Sequence, residues 1–123
     1  MSDLIIYGSG GHGAVVAEVA EAAGYHVLGF VDDEIGLTGS KVLEWHVLGG
    51  AEKIGSGASV ALAVGDNSAR ARLLILARNK HWRLPALIHP SALISSSAVI
   101  DEAVVVMANV VVNARPGLDR RVY

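Results

Sequence analysis

The residues Gly8-Ser9-Gly10-Gly11-His12-Gly13 have the types and the spacing to hold a phosphate. They follow the apolar run Leu4-Ile5-Ile6-Tyr7 and open a helix-patterned segment. In a strand–turn–helix layout the N–H groups of the helix's first turn face an anion, aided by the positive end of the helix dipole. Gly8 suits the tight turn, Gly10 admits a ligand close to the backbone, and Gly13 lets the helix approach the strand. His12 could donate to a phosphate or a sugar substituent. Asp32 and Asp33, 24 and 25 residues after Gly8, could accept from a ribose hydroxyl or a uracil N–H. Adjacent strand residues point opposite ways, so only one of the two is expected to face a ligand; ordinary turn chemistry is the alternative. Gly65 falls at the end of a later apolar run, where ligand crevices open in parallel sheets.

These residues need elements to position them. Leu4–Tyr7 reads as a buried strand. Val15, Val16, Val19, Ala20 and Ala23 recur at helical spacing, and Gly24 is a natural stop. His26–Val31 reads as a second strand, which completes a βαβ unit ending at Asp32-Asp33. Glu34–Ser59 is glycine-studded, with a short apolar piece at Val42–Leu48 and a helical turn near Glu52–Ile54. Ser59–Val64 is a third strand, and Asp66 or Asn67 caps a helix from about Ser68 to Lys80. Arg70 and Arg72 read as a solvated face of that helix. Three such strands, with no second mononucleotide half, weigh against the NAD or FAD site that the glycine pattern also allows. His26, His46 and His81 stand isolated, and His89 before Pro90 reads as a structural junction.

After Pro90 the texture changes. Ile94, Ile100, Val106, Val112 and Leu118 recur every sixth residue, each preceded by two positions by Ala92, Ala98, Val104, Val110 or Pro116. That period is a β-helix repeat signal. The alternative is two plain strands, Ala98–Ile100 and Val104–Val112.

Composition narrows the class. The chain has 123 residues, 52% of them hydrophobic but only 5% aromatic, so the core is aliphatic. A net charge of −2 with mixed signs points to neither nucleic acid nor membrane. With no cysteine, disulfides and zinc–thiolate sites are excluded, and no His/Asp/Glu cluster has metal-ligand spacing. No apolar run approaches the roughly 20 residues of a membrane span, and no signal peptide is apparent, so the protein reads as cytoplasmic.

Taken together, Ile6–Gly13, Gly29-Phe30-Val31-Asp32-Asp33, Val47-Leu48-Gly49-Gly50, Val64-Gly65-Asp66-Asn67 and Leu87-Ile88-His89-Pro90-Ser91-Ala92 resemble the sialic acid O-acetyltransferase family. That family includes the UDP-4-amino-sugar N-acetyltransferases. The resemblance implies an α/β fold: a Rossmann-like parallel βαβ domain over residues 1–90, then the start of a left-handed parallel β-helix over 91–123. It implies a UDP-amino-sugar held by Gly8, Ser9, Gly10, Gly11, His12, Gly13 and Gly65, with Asp32 and Asp33 at the uridine end. It also implies acetyl-CoA as co-substrate and a homotrimer for the full-length family. The family's base histidine lies in an Asp-His-Asp-like stretch, which this chain lacks; it is expected beyond Tyr123. The chain is therefore expected to be a truncated form that binds the sugar nucleotide without transferring acetyl. A non-catalytic nucleotide-sugar-binding module and an NAD-binding oxidoreductase domain remain the alternatives.

Overall fold

The computed structural model describes residues 2–95 and 103–112. Five strands form one sheet in the order β3-β4-β2-β1-β5. They are β1 (Asp3–Tyr7), β2 (His26–Val31), β3 (Lys41–Val42), β4 (Trp45–Gly49) and β5 (Val60–Leu62). β1, β2, β4 and β5 run parallel, and only the short β3 pairs antiparallel, with β4. The sequence showed three parallel strands; the fourth, Trp45–Gly49, falls within the short apolar piece Val42–Leu48, where the exposed His46 and the surrounding glycines mask its strand character. No α-helix covers the crossover from β2 to β4; a 3-10 turn at Ile35–Leu37 and β3 fill it.

Strand alternation sorts the core into two layers. Leu4 and Ile6 of β1 face helix α1 (Gly11–Ala22), which buries Val16, Ala17, Val19 and Ala20 beside Phe30 and Val47. Ile5 and Tyr7 face the other way, toward Leu73 and Ala77 of helix α2 (Asn67–Asn79) and toward Trp82 and Leu84. Burying an aliphatic or aromatic side chain of this kind contributes about 1.5–3 kcal/mol. Val15 was expected on the apolar face of α1 but is 43% exposed, because Val16 takes the core position. α1 ends in a Schellman arrangement: Tyr25 N–H donates to Ala20 O and Gly24 N–H to Glu21 O. α2 starts on Asp66, whose carboxylate accepts from Ala69 N–H at 2.9 Å.

The repeat-patterned segment pairs in parallel, once with the strand just before Pro90 and once with itself. β6 (Leu87–Ile88) pairs with β8 (Val105–Val106), and β7 (Leu93–Ile94) with β9 (Val111–Val112). Both pairs have an offset of 18 residues, Leu87 to Val105 and Leu93 to Val111. Val104 and Val106 are buried together against Ala92, Ile94 and Val110, which the six-residue period put in step with them, and against Ile88. The plain strand Val104–Val112 does not form: a turn at Ala108-Asn109 interrupts it, with Asn109 at φ 62°. Leu87 and Val105 also join the core beneath α1, so this segment packs on the sheet domain. Ala98, Ile100, Pro116 and Leu118 lie outside the described residues.

Candidate functional site

The strand order reverses between β1 and β5, and in parallel sheets it is at the C-terminal ends of such strands that ligand crevices form. The glycine loop lies there. Gly8 has φ +112°, and a Cβ on it would sit 2.5 Å from Ala63 O. Gly8 N–H donates to Val31 O, which closes the turn onto β2. Gly13 has no room at all: a Cβ would lie 2.0 Å from Gly8 O. The loop and the helix's first turn are therefore pressed together. Gly10 and Gly11 are the opposite case: both are exposed, and an added Cβ would meet nothing within 4 Å.

The two helix N-termini at this end of the sheet differ. α2 is capped by its own Asp66 side chain. α1 has Gly10 at its N-cap, no side-chain cap and no acid in its first turn. No side chain therefore caps or neutralises the positive end of α1.

Asp32 and Asp33 are held by the protein itself. The Asp32 carboxylate accepts from Ser9 N–H at 3.0 Å, from Ser9 Oγ at 2.7 Å and from Glu34 N–H at 2.9 Å. Burial pushes its carboxyl upward, but the donors from Glu34 and Ser9 outweigh that and hold it below the usual range. Asp32 thus braces the loop from beneath, through a buried Ser9. Asp33 accepts from the Tyr7 hydroxyl at 2.5 Å. Burial first, then this bond and the nearby acids, push the Tyr7 phenol well above the ordinary tyrosine range. The sign follows: Tyr7 favours folding while protonated, and that contribution is lost only as pH rises past the unfolded phenol's value, about 10. In an alkaline absorbance titration Tyr7 is expected to ionise above the ordinary tyrosine range, and Tyr7→Phe to remove that late step. A titration unchanged by the substitution would refute the assignment.

His12 is half-buried on the first turn of α1. Burial, and secondly the charge of Arg70, lower its imidazole from the ordinary value. Both effects favour the neutral imidazole over the cation. Arg70 was expected on a solvated face; instead it is 3% exposed. Its guanidinium donates to Leu62 O at 3.0 Å and to Ala103 O at 2.8 Å. The available signal was spacing: Arg70, Leu73 and Ala77 fall at i, i+3 and i+7, which is one helix face. Arg72 is exposed, as expected.

Gly65 is exposed beside the crevice, just before the Asp66 cap. His46 and His81 are exposed, whereas His26 is not isolated but pairs with Asp3 at 2.9 Å. His89 serves the junction: its N–H donates to Val106 O, and its Nδ1 accepts from Ser91 N–H at 3.0 Å. It also lines a cleft of about 340 Å³ with Val15, Glu18, Val19, Met107 and Ala108. Among the described residues, no three His, Asp or Glu side chains gather as a metal site, and no helix is long and apolar enough to cross a membrane.

Residues 3–75, more than half of the chain, match the family described as the PglD N-terminal domain. The chain belongs to that family. Solved structures agree with this assignment. Perosamine N-acetyltransferase from Caulobacter crescentus, in a histidine variant bound to CoA and GDP-perosamine, is 34% identical with a TM-score of 0.82. That match covers 96% of this chain and 57% of the other. The acetyltransferase domain of PglB from Neisseria gonorrhoeae FA1090, in complex with acetyl coenzyme A, is 31% identical with a TM-score of 0.75, covering 97% of this chain and 65% of that one. The chain therefore spans less than two thirds of the length of either relative. No curated protein matches it. The resemblance to a sugar acetyltransferase family, drawn from motifs spread along the chain, is borne out.

Proposed function

We propose that the chain binds the nucleotide sugar for an acetyl-CoA-dependent acetyltransferase acting on a UDP-linked amino sugar or a sialic-acid-type sugar. The observation that carries this reading is the uncapped, acid-free N-terminus of α1 at the sheet's switch point, with Gly10 and Gly11 open before it. The structural relatives, one bound to GDP-perosamine and CoA and another to acetyl coenzyme A, support it. In this reading the N–H groups of residues 10–13 receive the diphosphate, and His12 hydrogen-bonds to it or to the sugar. Ser9, braced by Asp32, keeps the loop in shape. Asp33 and Gly65 border the nucleoside.

Acetyl-CoA, as co-substrate, would supply the acetyl group. Transfer to an amine or hydroxyl requires a base to take its proton. The 123 residues hold no histidine after His89 and no Asp-His-Asp stretch, so we expect this chain alone to bind without turning over. Residues 1–90 would form the Rossmann-like domain and 91–123 the first hexads of a left-handed β-helix. The 18-residue offset, three hexads long, supports that division. A cytoplasmic homotrimer is the assembly that goes with it.

Calorimetry with a UDP-amino-sugar, UDP, GDP and NADH side by side tests the reading. Binding of the sugar nucleotides and not NADH is expected; binding of NADH alone would overturn it. Gly11→Ala sharpens the test, because its two effects should have opposite signs. Stability should hold or rise by up to about 1 kcal/mol, since alanine suits a helix's first turn and the Cβ meets nothing. Nucleotide affinity should fall at least tenfold, since the same Cβ stands where the ligand approaches. Unchanged affinity would place the ligand elsewhere.

A further inference from the structure

Arg70 is a buried cation that the substrate contacts proposed above do not use. It lies on α2, yet its side chain leaves that helix in two directions. One arm reaches Leu62 O, on β5, the outermost parallel strand of the sheet. β1 takes the groups on the inner side of β5: Ile5 N–H donates to Ser59 O, and Ala63 N–H to Tyr7 O. By alternation Leu62 O lies on the outer side. The other arm reaches Ala103 O, 33 residues along the chain. Ala103 has φ 64°, a left-handed conformation that L-residues with a side chain seldom adopt unless held. It is held from both ends, since its own N–H donates to Leu84 O.

Ala103 leads directly into β8. Val104 O accepts from Leu87 N–H, Val106 O accepts from His89 N–H, and Val105 packs in the core beneath α1. On the other side, Ala63, next to Leu62, is the residue against which Gly8 is packed. The fork of Arg70 thus spans the two structures that meet at the crevice. A planar guanidinium with donors on separate nitrogens suits this; a lysine ammonium keeps the charge but not the fork.

We propose that Arg70 is a positioning residue for the candidate site: its buried fork ties the C-terminal end of β5 to the Ala103 turn and so fixes the glycine loop and His12 relative to the repeat segment. The proposal rests on the nucleotide-sugar reading above for its functional meaning, because acceptor and acetyl donor must be held in one geometry for transfer. The proximity of the Arg70 charge to His12 supports it independently.

The test compares Arg70→Met and Arg70→Lys with the unaltered chain by amide hydrogen exchange, by NMR titration of the His12 imidazole and by calorimetry with UDP. Both variants should exchange at least tenfold faster at Leu87, His89 and Ala103, while β1 and β2 keep their protection. The His12 titration should move upward in Arg70→Met and stay near its original position in Arg70→Lys, which separates the effect of the charge from that of the fork. UDP affinity should fall about tenfold in Arg70→Met and recover in part in Arg70→Lys. If Arg70→Met does not fold, Arg70→Lys carries the exchange and affinity readouts. Unchanged exchange at Ala103 and Leu87, unchanged UDP affinity, or a His12 titration that ignores the loss of charge would overturn the proposal. Failure of the unaltered chain to bind UDP would instead remove the nucleotide reading, and exchange would still judge the tie.

Discussion

Gly13→Ala is expected to lower the thermal unfolding midpoint by about 10–15 °C and to abolish nucleotide binding. The added Cβ would lie 2.0 Å from Gly8 O and 2.9 Å from Gly8 C, both backbone atoms of the loop. A flexible side chain would swing away; a backbone carbonyl cannot, because Gly8 is itself wedged against Ala63 O and bonded to Val31 O. Overpacking costs about 1–3 kcal/mol where neighbours yield and more where they do not. A cost of about 3 kcal/mol in a domain of this size gives the stated shift. That cost is net of the helix propensity of alanine, which returns at most about 1 kcal/mol. Gly11→Ala in the same first turn serves as the control. Scanning calorimetry on both variants settles the matter: equal midpoints would mean that the loop does not press on the helix as described.

Asp32→Ala should cost about 2–4 kcal/mol and loosen the loop without touching the ligand directly. It removes one carboxylate that three donors share, two from Ser9 and one from Glu34. Hydrogen bonds to a charged group are worth about 1.5–3 kcal/mol each, and those sharing an acceptor add less than fully. Asp32→Asn keeps an acceptor oxygen and should lose roughly half as much. The pH dependence has a definite sign. The folded state holds this carboxyl below its ordinary value, so its contribution is fully present above the unfolded value of about 4. It is lost as pH falls from there through the folded value. Urea unfolding of the unaltered chain should therefore weaken on acidification below about pH 4, with a shallower decline in Asp32→Ala. Parallel declines would show that Asp32 is not the brace.

Much of the frame was legible because it rests on local patterning. Four consecutive apolar residues before Gly8 make a strand buried on both faces, and Gly24 and Asp66 mark helix ends by their own backbone and side-chain chemistry. The six-residue period pointed to Val104, Val106 and Ile94, and they share one cluster. What stayed hidden depends on partners far along the chain. Nothing near Arg70 announces carbonyls 8 residues before it and 33 after it. Asp32 and Asp33 read equally well as ribose ligands or turn residues, because their donors, Ser9 and Tyr7, come from another strand and its loop. β4 showed only as part of the apolar piece Val42–Leu48, because its burial alternates from an exposed His46 to a buried Val47, where the other parallel strands are mostly apolar.

The fixed offset between β6 and β8, and between β7 and β9, bears on how such a chain grows. A two-residue strand is too short to stand alone, and a single layer of such strands has nothing to lean on. Here the first layer borrows the sheet domain: Leu87 and Val105 are finished with side chains from α1 and the sheet. The sheet domain thus acts as an end cap and a template, converting the costly first rung into part of an already folded core. Any further rung would then need only nearest-neighbour contacts with the one before it. Folding along this part of the molecule should accordingly be directional, starting at the five-stranded sheet, and a substitution that loosens Leu87 should be felt more strongly than the same change farther along.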